Sequence, residues 1–273
     1  MNYQTFQPHS DLQSLVKCYW TLEVPADPNA QKQRIVPDGC IEMFFILGDD
    51  IKRFTTEPEF IIQPRAMVLG QITTPFYVQP VGYVHSFAIR FYPYGFANFV
   101  TTVIKDLVNK ETPIELLFES QSAKNLEQEI IQAADTSERI RIIESFLLQR
   151  LKRKETIDTI VKSTVDAIFL TRGNASVNDM LKEDLSKRRQ LERKFVKQIG
   201  ISPKQLSKVI RLQTALKMLL NQPGQNLTKI AYESDYYDQA HFNKDFKEFT
   251  GTNPGEFLTD SEMALSSLFY SQD

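Results

Sequence analysis

This 273-residue chain is poor in the residues that most often build metal and nucleophile sites, with three histidines and two cysteines. His9, His85 and His241 fall in unrelated segments without HxH or HExxH spacing, so no metal centre is expected. Cys18 and Cys40 are too few for a cysteine metal cluster, and their apolar neighbours make both read as buried thiols rather than a disulfide. Neither a phosphate-binding glycine loop nor a nucleophile elbow occurs. Long apolar runs are lacking as well: none reaches the ~18 to 20 residues that cross a bilayer, and MNYQTFQPHS has no basic region leading into an apolar signal core. The expectation is a cytoplasmic protein without membrane attachment, catalytic residues or cofactor.

What is present fits a globular chain long enough for two cores. Hydrophobic residues make up 42% and charged residues 24%, ordinary proportions for a folded protein. The net charge of −2 hides an uneven distribution. Residues 1–165 carry 17 Lys/Arg against 20 Asp/Glu, residues 166–258 carry 15 against 11, and the tail from 259 has three acids and no base. Between Ser186 and Lys217 ten basic residues face one acid, Glu192. Such a local field attracts a polyanion, although a solvated helix face has the same composition.

Strand formers and turn residues fill the first hundred positions. Lys17–Val24, Arg34–Leu47 interrupted at Pro37-Asp38-Gly39, Ala66–Ile72, Phe76–Val81 and Val84–Phe91 read as strands of an antiparallel barrel or sandwich. From Phe96 the pattern turns helical, with Ile130, Ile131, Ile140, Ile143, Phe146, Leu147 and Leu151 recurring every three or four residues. The stripes between Glu127 and Leu151 would pack on the barrel or form a dimer seam. Leu151–Glu155, rich in Lys, Arg and Glu, leads into a second domain. The fold class is therefore α+β in two domains: a β-rich, barrel-like domain with helices over 1–155, and an all-α domain over 156–273 with its core at 166–258.

That second domain contains a motif written twice. Leu191, Arg193, Phe195, Gly200, Pro203 and Leu206 are echoed 51 positions later by Phe242, Lys244, Phe246, Gly251, Pro254 and Phe257. Each copy is an amphipathic helix closed by glycine and followed by a helix opening on proline. Helices are expected at 156–170, about 187–199, 203–220, 226–233 and 238–250, with Asn226 and Asp238 as caps. A short acidic helix, Val177–Asp184, is capped by Ser176. Leu191, Phe195 and Ile199 form one inner face, and Phe242, Phe246 and Phe249 the other. The outer faces hold Lys187, Arg188, Arg189, Arg193 and Lys194 in the first copy, and Gln239, Ala240, His241, Asn243 and Lys244 in the second. Arginine can bond guanine at two points, and Gln or Asn can do the same with adenine. Lysines such as Lys187, Lys194, Lys197, Lys204 and Lys208 suit phosphates. His241 could equally be a helix histidine bonded to a neighbour.

Ile230–Phe257 resembles the second helix-turn-helix of the AraC/XylS transcription regulators. Arg189–Phe195, Gly200–Pro203 and Arg211–Leu216 are similar to the first unit and linker helix of that family. Asp235 stands where the family usually has a turn glycine, a site that Asp can occupy in the left-handed conformation. The resemblance covers about Val165–Phe257. It implies two units joined by one helix and reading successive major-groove turns of double-stranded DNA, with RNA polymerase as the protein contact of a transcription regulator. Tyr19-Trp20, Ile35–Phe45, Leu69-Gly70 and Ala88–Phe96 resemble an uncharacterised N-terminal domain found in a subset of these regulators. In better-known members a β-rich N-terminal domain senses a small molecule or forms a homodimer, and both roles stay open here. Trp20, Glu42, Arg90 and Tyr92 are the candidate effector-pocket residues, although core and rim positions of a barrel are the commoner fate of such side chains. A helical module that binds a protein is the competing reading. It would expose an apolar stripe, whereas these stripes are used in the core.

Overall fold

The structure is a computed structural model that describes residues 1–273 except 57, 152–157, 175–184, 222, 223, 225 and 273. The expected Ser176 cap, the Val177–Asp184 helix and most of the Leu151–Glu155 lead-in lie outside the described residues. The strands are β1 (Asn2–Phe6), β2 (Val16–Val24), β3 (Gln33–Ile35), β4 (Ile41–Ile46), β5 (Ile51–Thr56), β6 (Glu59–Ile62), β7 (Ala66–Leu69), β8 (Phe76–Pro80), β9 (Val84–Phe91) and β10 (Glu111–Pro113). They form a six-stranded sheet ordered β1-β2-β9-β4-β7-β10 and a four-stranded sheet ordered β3-β8-β5-β6. The N-terminal part is barrel-like without closing into a barrel. β1, β5, β6 and β10 join the strands expected from sequence. β1 is mostly exposed, and β6 is exposed at all four positions, so neither carries a buried stripe.

The larger sheet is covered on both faces, and strand alternation sorts its side chains. Tyr19, Met43, Phe45, Phe87 and Ile89 point into the main core, where Ile143, Phe146 and Leu147 join them from the following helices. Trp20, Leu22, Phe44, Val84 and Ala88 face the other way. Helices α1 (Ser120–Gln132) and α2 (Thr136–Leu151) bury Ala123, Leu126 and Ile130, and Ile143, Phe146 and Leu147. The stripe offered as a dimer seam is thus largely spent on the chain's own core. Both cysteines are buried, and neither forms a disulfide.

The C-terminal helices are α3 (Thr159–Leu170), α4 (Leu185–Ile199), α5 (Pro203–Asn221), α6 (Leu227–Glu233), α7 (Gln239–Thr250), α8 (Pro254–Phe257) and α9 (Ala264–Gln272). Asn226 accepts from the Thr228 N–H at 2.8 Å, and Asp238 from that of His241 at 2.7 Å, giving α6 and α7 their expected caps. Gly200 and Gly251 follow α4 and α7 at φ +98 and +76, and Asp235 takes φ +60 in the turn between α6 and α7. Helix α5 is apolar on more than one side. Leu206 and Ile210 belong to the core shared with the sheet, α3 and α4. Val209, Leu212, Ala215, Leu216 and Leu219 belong to the core of α6, α7 and α8.

The Pro37-Asp38-Gly39 turn docks directly on α5. Gln213 Nε2 donates to the Pro37 carbonyl at 2.6 Å, and buried Gln71 donates to that of Gly39 at 2.9 Å. Gly39 sits at φ +77, and a Cβ there would lie 3.1 Å from Leu206 Cδ1 and 3.2 Å from Ile210 Cδ1. Gly39→Ala therefore combines left-handed strain with crowding and should cost about 1 to 3 kcal/mol. Gly255→Ala, in α8 with nothing near the added methyl, should be neutral or slightly stabilising. Urea denaturation of the two variants checks the contrast.

Candidate nucleic-acid interface and effector cavity

Burial of one helix face decides what the other presents. Leu191, Phe195 and Ile199 are fully buried on α4, leaving Arg188, Arg189, Arg193 and Lys197 exposed. On α7 the rings of Phe242 and Phe246 pack edge to face at 5.5 Å, and Phe246 meets Phe257 at the same spacing. Ala240 and Lys244 are exposed, whereas Gln239, His241 and Asn243 are half-buried. Lys204, at the start of α5, is also exposed. The Lys187 side chain lies outside the described ones. Tyr237 is 87% exposed immediately before the Asp238 cap, a position that helix periodicity does not single out.

Several of these polar groups already have intramolecular partners. Arg188 pairs with Glu192 along α4 at 3.3 Å. Lys194 reaches Asp158, the cap of α3, at 2.7 Å, and that hydrogen bond holds the Asp158 carboxyl below its ordinary range. The Thr228 hydroxyl donates to Gln239 Oε1 at 2.7 Å, so the carbonyl end of the Gln239 amide is engaged. His241 places its ring edge to face with Tyr236 and its Nε2 3.4 Å from Asp245.

Lys208, offered by sequence for a phosphate, is turned inward. Its Nζ lies 2.9 Å from the buried Asp245 carboxylate and 3.4 Å from Glu248, clamping α5 to α7. Burial alone lowers the Lys208 pKa, but the hydrogen bond and charges of Asp245 and Glu248 overcome it and raise it. A helix-clamping lysine need not be exposed, and the sequence pattern alone does not separate it from a phosphate lysine.

The candidate pocket residues divide. Trp20 and Glu42 line a cavity of about 540 Å³ between the two sheets, with Phe44, Met67, Phe76 and Val78 among its apolar walls. Arg90 lies behind Glu42, on the wall of a small adjoining space. Tyr92 is not part of either lining and stacks on Tyr94 at 6.0 Å. Trp20 Nε1 and Arg90 Nε both donate to Glu42 Oε1, at 3.0 and 2.7 Å. Arg90 also lies 3.7 Å from Asp38, in the turn that docks on α5. Burial pushes the Glu42 carboxyl above its ordinary range against the pull of Arg90. Burial likewise raises the Cys40 thiol well above its usual value.

Among the described residues no group of three or more His, Cys, Asp or Glu is placed to hold a metal ion. No described helix is long and apolar enough to cross a membrane.

Helix α6, the turn at Asp235 and helix α7 have the geometry of a helix-turn-helix unit. Residues 186–260 match a helix-turn-helix domain family of the AraC type, and residues 4–113 match a domain of unknown function, DUF6597. The helix-turn-helix match thus lies C-terminal to the DUF6597 match. Among solved structures, ToxT from Vibrio cholerae is 15% identical with a TM-score of 0.48, over 90% of this chain and 99% of that one. A ToxT complex with (E)-4-(8-methylnaphthalen-1-yl)but-3-enoic acid is 14% identical with a TM-score of 0.47, over 95% and 99%. The AraC-like transcriptional activator CuxR is 11% identical with a TM-score of 0.32, over 90% and 91%. Comparison with curated proteins finds no match.

Lys208→Ala strands a buried carboxylate and should cost about 2 to 3 kcal/mol, while Lys204→Ala should stay within about 0.5 kcal/mol of the parent. Because pairing raises the folded-state pKa of Lys208 above 10.5, its contribution is complete below the pKa of the unfolded lysine and fades as pH rises through the folded value. The stability gap between parent and Lys208→Ala, read by urea titration, should therefore narrow above pH ~10.5.

Proposed function

We propose that this chain is a sequence-specific, double-stranded DNA-binding transcription regulator. In this reading residues 156–273 bind DNA, and residues 1–155 bias that binding through a small apolar effector. RNA polymerase is then the protein contact through which DNA binding is converted into transcription control. The observation that carries the reading is the exposed basic face of α4, with a polar face carrying Lys244 at the matching register of α7, each opposite a buried apolar face. Arg189 and Arg193 are the base-reading candidates on α4, joined by Arg188 once it leaves Glu192. Gln239, Asn243 and Lys244 are those on α7, while Ala240 and His241 shape its surface. Lys197 and Lys204 serve phosphates, with Lys187 and Lys194 at the edge of the same field. A protein-binding module would need an apolar stripe left outside α4 or α7, and the residues of both stripes are buried.

The cavity supports an effector role because it is mostly apolar and carries a few inward polar groups, the usual make-up of a small-molecule site. Ser86 Oγ on its wall is buried without a hydrogen-bond partner among the described residues, a group that a ligand would satisfy. From Glu42 the polar connection through Arg90 and Asp38 ends at the turn seated on α5. No step of this role calls for catalysis.

Fluorescence anisotropy of the full chain on duplex DNA tests the assignment. Binding should weaken steeply with salt. Arg193→Ala and Gln239→Ala should relax base preference at a cost of about 1 to 3 kcal/mol, with Gln239 at the lower end because its carbonyl is already engaged. Lys204→Ala should weaken all duplexes alike. Equal losses on selected and random duplexes for all three variants would contradict these roles.

A further inference from the structure

The tail beyond the second helix-turn-helix unit does not trail away into solvent. A short 3-10 turn at Ser261–Met263 and helix α9 return to the N-terminal domain, and Met263 shares the core of α6 to α8. Phe269 meets the rings of Tyr3 and Trp20, each at 5.3 Å, and Leu265, Phe269 and Ser261 line the cavity. Arg34 secures the return. Its guanidinium pairs with Asp260 at 3.0 Å and Glu262 at 2.7 Å, and donates to the Thr250 carbonyl at the end of α7 at 3.3 Å. Its backbone carbonyl accepts from the Ser266 hydroxyl at 2.6 Å, while neighbouring Gln33 accepts from the Leu265 N–H at 3.1 Å. The Arg34 side chain is only 9% exposed, so releasing the tail would leave a buried cation short of two of its anions.

We propose that α9 is a wall of the effector site, with Leu265 and Phe269 as ligand-contacting residues, so that an apolar ligand in the cavity clamps the C-terminal tail and, through it, the second helix-turn-helix unit. This inference rests on the reading of the cavity as an effector site and extends it. The cavity keeps its 540 Å³ with α9 seated, so a ligand enters beside the helix rather than in its place. Each apolar surface that the ligand presents to Phe269 and Leu265 is then removed from water only while α9 is docked. Occupancy therefore stabilises the docked tail by linkage.

Nile red, an uncharged apolar dye, serves as the probe on the full-length protein. Hydrogen exchange reports on α9 and on 227–257, and Trp20, the single tryptophan, reports on the Phe269 contact. Dye binding should slow exchange across 264–272 and 227–257 and change Trp20 emission. Phe269→Ala should weaken dye binding about tenfold and abolish the exchange effect, and the milder Phe269→Leu should fall between. Met67→Trp, which fills the cavity from the opposite wall, should abolish dye binding while leaving α9 docked. If Met67→Trp blocks the dye but Phe269→Ala and Phe269→Leu bind it as the parent does, with unchanged exchange in 264–272, the role of α9 is overturned and the cavity reading survives. Absence of dye binding to the parent, or binding unaffected by Met67→Trp, overturns the cavity reading and the inference together.

Discussion

Helix α5 is the constraint on which the rest of the molecule depends. Its 19 residues, roughly 28 Å of helix, are built into two cores at once. Leu206 and Ile210 are locked against the N-terminal domain and α4, while Val209, Leu212, Leu216 and Leu219 anchor the second unit. A helix with apolar residues on only one side would join two independent modules as a spacer. With both sides buried, separating the parts exposes side chains worth about 1.5 to 3 kcal/mol each. The turn at 37–39 is seated directly on this doubly buried helix.

Charge reinforces the same joints. Arg34 and Arg90 are buried and Lys208 is partly so, and each is held by carboxylates from another element. Removing one partner from such a group costs more than the pair gains over an apolar substitute, so each cluster penalises separation of the surfaces it joins. Arg34 ties the end of α7 and the tail to β3, Lys208 ties α5 to α7, and Arg90 joins the cavity wall to the docking turn. The exposed arginines of α4 stand outside these clusters, apart from the helix-surface pair of Arg188 with Glu192.

The helical C-terminal half was the more legible part of the sequence because its signals are local. Periodicity fixed the buried faces of α4 and α7, and Asn226, Asp238, Gly200 and Gly251 marked helix ends through short-range backbone geometry. Most N-terminal strands were legible for the same reason, through alternation and turn residues. Partnerships between distant segments were not. Nothing near Lys208 announces Asp245, 37 positions on, and nothing near Tyr92 says that it packs on the main core rather than lining the cavity. The tail did carry a signal. Leu265, Leu268 and Phe269 follow helical spacing behind Asp260 and Glu262, an amphipathic pattern in a segment whose only charges are acidic. Its destination, β3 and the cavity, is set by tertiary packing and has no counterpart in local sequence.

The most direct test of the central claim is selection of duplexes from a random library by the full-length chain, followed by sequencing. Two recognition helices held by one rigid linker should enrich a bipartite site whose elements are centred about one helical turn, 10 to 10.5 base pairs, apart. Insertion of five base pairs between the elements should abolish binding. Recovery of unenriched sequence, or of a single element indifferent to spacing, would contradict the account.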